Sequence, residues 1–82
     1  MVDLFEINHY LDFYRKSYPF LKIKFTYNPM GFYANLFVFD IVTEVRGRWT
    51  FGVNDTEDAL YKIDLCLVDF LAQRKVKNEQ RR

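Results

Sequence analysis

Residues 32–42 read Phe32-Tyr33-Ala34-Asn35-Leu36-Phe37-Val38-Phe39-Asp40-Ile41-Val42. Successive residues of a β-strand point to opposite faces of a sheet. Read as one strand, this stretch puts Ala34, Leu36 and Val38 on one side and Tyr33, Phe37, Phe39 and Ile41 on the other. A strand apolar on both faces is either covered on both or presents one of them to something else.

The flanking segments decide which face is the core. Residues 21–27 alternate Leu21, Ile23, Phe25 and Tyr27 with Lys22, Lys24 and Thr26, which predicts a half-buried strand. Asn28-Pro29-Met30-Gly31 has the residues of a type I turn, so the next strand is expected to return antiparallel, with Leu21 beside Val38, Ile23 beside Leu36 and Phe25 beside Ala34. A second reversal is centred at Thr43-Glu44 or at Arg46-Gly47. The first choice sets Val38 beside Trp49, Leu36 beside Phe51 and Ala34 beside Val53, and so continues one apolar face. The opposite face then carries Tyr33, Phe37, Phe39 and Ile41 along its middle, with Lys22, Lys24, Arg46 and Arg48 along its margins.

Helices bracket the strands. Asp3 and Glu6 have the spacing of a capping box, and Leu4, Ile7, Leu11 and Tyr14 follow at intervals of three and four, predicting a helix to about Lys16 that Pro19 terminates. Asn54 or Asp55 caps a second helix with Glu57 and Asp58 in its first turn. Its main stripe is Ala59, Leu60, Ile63, Leu67, Phe70 and Leu71. Tyr61, Leu65 and Val68 add a second apolar flank, more than one sheet face requires. The expectation is an α+β domain of αβββα order, a three-stranded antiparallel meander with both helices on one face, spanning residues 1–74. A basic, disordered tail is expected over 75–82.

With 82 residues, half of them hydrophobic and a fifth aromatic, the chain is one domain able to bury a core. A single cysteine, Cys66, excludes an internal disulfide and points to a reducing, cytoplasmic setting. The start Met1-Val2-Asp3 lacks the features of a signal peptide, and no run approaches the ~18 apolar residues of a membrane span. The net charge is only +1, but residues 1–14 carry −3, residues 15–53 +4, residues 54–73 −4 and residues 74–82 +4. The helices are acidic where the strands are basic.

Nothing in the chain spells catalysis. His9 is the only histidine and sits in the first helix, Cys66 lies among Leu65, Leu67 and Val68 as a small hydrophobe, and Gly47 and Gly52 form no phosphate loop. The expectation is a protein that is not an enzyme and takes no cofactor, metal, membrane or small-molecule substrate. Phe37 and Phe39 with their cationic neighbours suit three roles: anchoring a protein partner or a second copy, stacking the bases of a single-stranded nucleic acid, or sitting under cation–π lids inside the molecule. The small net charge favours protein over nucleic acid.

The order helix, three antiparallel strands, helix is similar to the layout of the double-stranded RNA-binding domain. That resemblance implies phosphate contacts from a basic cluster opening the last helix, whereas Asn54-Asp55-Thr56-Glu57-Asp58 is acidic here. The family's strand-loop histidine region falls near Asn28-Pro29-Met30-Gly31, which has none. In length, aromatic richness and layout the whole chain also resembles small accessory proteins of bacteriophages and mobile elements, the anti-CRISPR inhibitors among them. This resemblance rests on no diagnostic motif. It implies an inhibitor that occupies a surface of a host defence or nucleic-acid-processing machine.

Overall fold

The two β-hairpins are built by the same device. In each, an Asx side chain at the end of one strand accepts from the backbone N–H groups two and three residues on: Asn28 Oδ1 from Met30 and Gly31 at 2.9 and 3.4 Å, Asp40 Oδ1 from Val42 and Thr43 at 2.9 and 3.1 Å. Four residues on, the chain turns back through a left-handed residue, Phe32 at φ 53° and Glu44 at φ 61°. The loops are therefore residues 29–32 and 41–44, the first centred one residue later than Pro29-Met30 and the second one residue earlier than Thr43-Glu44.

The computed structural model describes residues 2–80, with side chains described as far as residue 73. Its elements are α1 (Leu4–Ser17), β1 (Leu21–Asn28), β2 (Tyr33–Asp40), β3 (Arg46–Gly52) and α2 (Thr56–Gln80). The strands form one antiparallel sheet in the order β1-β2-β3, giving an α+β fold.

The displaced loops correct the expected register. Leu21 opposes Asp40, Ile23 opposes Val38 and Phe25 opposes Leu36, while Leu36 opposes Trp49 and Val38 opposes Gly47. Every pairing is shifted by two residues. Because side chains alternate with period two, such a shift leaves each residue on its expected face. Asp40, on the inner face by the same alternation as Leu36 and Val38, ends β2 fully buried, and its carboxylate holds the loop.

Both helices lie on that inner face. Ile7 and Leu11 of α1, Ala59, Ile63, Leu67 and Phe70 of α2, and Leu21, Ile23, Ala34, Leu36, Val38 and Val53 of the sheet region form one core. Asp3 caps α1 by accepting from the Glu6 N–H at 3.2 Å, but its own N–H donates to the Thr56 hydroxyl at 2.8 Å, which joins the start of α1 to the start of α2. Asp55 caps α2 by accepting from the Asp58 N–H at 2.8 Å. Cations tie each helix to an outer strand: Arg15 donates to the Ile23 carbonyl at 2.9 Å and Lys62 to the Gly52 carbonyl at 2.6 Å.

The helices are clamped to each other by a polar cluster the apolar pattern does not reveal. Tyr10 donates to Asp64 Oδ1 at 2.7 Å, and Tyr14 donates to the same oxygen. Burial, reinforced by Asp64, holds both phenols above the ordinary tyrosine range. The α2 helix continues to Gln80, beyond Arg74 where the hydrophobic period ends. The expected basic tail over 75–82 concerns side chains that lie outside the described residues.

Gly47 sits within β3, not at a turn, because an aromatic lies where its side chain would be. A Cβ added there would stand 2.4 Å from Trp49 Cη2 and 2.9 Å from Phe70 Cδ1, two rings already packed edge to face at 6.1 Å. Gly47→Ala is expected to force them apart and cost about 1–3 kcal/mol, which at ~4–8 °C per kcal/mol is a clear fall in Tm. An unchanged or raised Tm would show that the rings do not occupy that space.

Candidate functional site

The outer sheet face is uncovered by either helix and is organised in rows across the three strands. In one row Lys22, Phe39 and Arg46 lie side by side. In the next, two residues along, lie Lys24, Phe37 and Arg48. With strands ~4.8 Å apart and rows ~7 Å apart, each ring has a cation on both sides. A shallow depression of about 390 Å³ is lined by these six residues together with Ile23, Val38 and Gly47.

The two arginines lie over the rings. The Arg46 guanidinium carbon stands 5.3 Å from the Phe39 centroid and that of Arg48 stands 5.4 Å from Phe37. Such contacts at exposed sites contribute ~0.5–1 kcal/mol each. They keep the rings half-buried while the lysines and arginines remain exposed. Among the described residues none of Lys22, Lys24, Arg46 and Arg48 pairs with a carboxylate, whereas Arg15 pairs with Asp12 at 2.8 Å and Lys62 with Asp58 at 3.0 Å. The Asn54 N–H and Lys62 together hold the Asp58 carboxyl below the ordinary aspartate range.

The other two residues expected on this face are placed differently. Tyr33 is on it but lies beyond a polar row in which Thr50 donates to Asn35 at 2.6 Å. Asn28 donates to the Tyr33 hydroxyl at 3.0 Å, which keeps that ring at the hairpin end. Ile41 is not on the strand. β2 ends at Asp40, and Ile41 opens the following loop, 49% exposed, with its N–H bonded to the Phe20 carbonyl at 3.0 Å. The shifted register also changes the neighbours: the expected pairing sets Lys22 beside Phe37 and Arg48 beside Phe39, whereas Phe37 lies between Lys24 and Arg48 and Phe39 between Lys22 and Arg46.

His9 packs edge to face on Phe13 at 5.6 Å. Burial pushes the Cys66 thiol above its ordinary value, with Asp69 adding to the effect. No group of three or more His, Cys, Asp or Glu side chains suited to a metal ion occurs among the described residues, and none of their helices is long and apolar enough to cross a membrane.

The polar devices that sequence reading passed over are Asp40, Asp64, Tyr10 and Tyr14. For Asp40 a signal existed, since an Asx residue precedes each four-residue loop at the same offset. Asp64 had none, because its phenol partners lie fifty or more positions away. No protein-family model matches the chain, and no characterised protein or solved structure shows significant similarity to it.

Proposed function

We propose that the protein is a non-catalytic binding module whose outer sheet face docks an acidic, apolar segment of a protein partner. The observation that carries this reading is the set of four cations around two aromatic rings, without carboxylate partners among the described residues, on a face neither helix covers. A guanidinium binds carboxylates through paired N–H donors, and a ring beneath it supplies apolar area that contributes strongly at interface centres. The resemblance in size and layout to phage accessory inhibitors of the anti-CRISPR type gives such docking a form: occupation of a surface on a larger host machine.

Single-stranded nucleic acid is the second reading, supported by the same rows of ring and cation. The arginines weigh against it, because a base stacking on Phe37 or Phe39 must first displace Arg48 or Arg46. Titration with labelled single-stranded oligonucleotides at two salt concentrations separates the two. Contact through all four cations would give a log-log salt slope of roughly −3, at about −0.7 per phosphate neutralised. The protein reading expects no oligonucleotide binding even at low salt, and capture of a protein from lysate that is lost with Phe37→Ala plus Arg48→Ala. Oligonucleotide binding with the steep slope would replace it.

A further inference from the structure

The outside of the helical layer carries the chemical complement of the sheet face. Tyr61, Leu65 and Val68 of α2 are 64, 53 and 58% exposed, in contrast to Ile63 and Leu67, which are fully buried. At 3.6 residues per turn, their spacings of four and three place them in one stripe on the side of the helix away from the core. Acids flank the stripe. Glu57 and Asp69 make no ion pair among the described residues, and residues 54–73 carry a net −4. The sheet face has the same plan with the opposite sign, an apolar line with cations on both margins.

We propose that the α2 outer stripe of one copy seats on the outer sheet face of another, so that the chain stacks head to tail. This rests on the reading of the sheet face as a docking surface. Like-with-like pairing is opposed by charge: two sheet faces would confront their cations, and two α2 stripes their acids. The mixed contact pairs Glu57 and Asp69 with cations such as Arg46 and Arg48, and sets Leu65 and Val68 beside Phe37 and Phe39 with their arginines in place. It also places each sheet between its own helices and a neighbour's, the three-layer arrangement that covers both faces of a sheet. A contact between two different patches does not close on itself after one step, so growth continues past the dimer.

Sedimentation velocity on the full chain over a wide concentration range tests this with two variants, one sheet-faced (Arg46→Glu, Arg48→Glu) and one helix-faced (Leu65→Lys, Asp69→Lys). All four positions are exposed, and Glu57→Lys with Asp69→Lys serves as a second helix-faced variant should the first not fold. The wild type is expected to grow beyond a dimer with concentration and to dissociate with salt. Each variant alone is expected to stay monomeric. Their equimolar mixture is expected to associate, because the intact α2 stripe of one variant meets the intact sheet face of the other. A wild type that stays monomeric, one that stops at a dimer, or a mixture that stays monomeric would each overturn the proposal. If the sheet-faced variant then still lost a foreign protein captured by the wild type, only head-to-tail stacking would fall. If it lost none, the docking role of the sheet would fall too.

Discussion

Leu36→Ala is expected to remove about 2–5 kcal/mol of stability, against a total of roughly 4–12 kcal/mol for a chain this long. Leu36 sits at the centre of β2, fully buried, between Phe25 of β1 and Trp49 of β3 and beneath both helices. Removing three carbons there leaves a cavity that a meander held on both sides cannot easily collapse. Urea unfolding followed by circular dichroism gives the value, with Met30→Ala as the comparison, since Met30 is 90% exposed at a loop and should change stability by no more than ~0.5 kcal/mol. Equal losses for the two variants would mean that the core is not where Leu36 lies.

The second large effect is on binding. Replacing Arg46 and Arg48 together by glutamate reverses charge on one margin of the sheet face and places carboxylates where an acidic partner would approach. Each arginine has the character of an interface hot spot, worth about 2 kcal/mol or more, so each reversal is expected to weaken association by at least ~30-fold. The fold is expected to survive. Both side chains are exposed, and what they give the monomer is a cation–π contact of ~0.5–1 kcal/mol each. A loss of binding with little change in Tm is the expected pattern, read by titration calorimetry beside thermal melts. A matching loss of stability would assign the arginines a structural role instead.

The faces of the sheet were legible in the sequence because alternation has a period of two and survives a two-residue slip. The pairings were not, because neither loop marks its left-handed residue with glycine: Phe32 and Glu44 hold positive φ, and Gly31 and Gly47 do not. Glycine was the expected sign of reversal, whereas the Asx side chains at Asn28 and Asp40 carry the turn chemistry. The same displacement moved Ile41 off the sheet, and left Asp40, an inner-face residue in either register, as the buried end of β2. Within the candidate site, Phe37, Phe39 and their four cations fall together as alternation requires, although Lys24 and not Lys22 lies beside Phe37. The surplus of apolar residues on α2 was visible from Tyr61, Leu65 and Val68. The clamp through Asp64 was not, since it joins helices distant in sequence.

The claim that the outer sheet face is where this protein meets its partner is tested most directly by photo-crosslinking. A photoreactive phenylalanine analogue replaces Phe37 in one version of the protein and Met30, exposed at the β1–β2 loop, in another. The probe at position 37 is expected to join covalently to a captured protein, with a yield that falls sharply when Arg46 and Arg48 are also reversed in charge. Efficient crosslinking from position 30 with none from position 37 would contradict it.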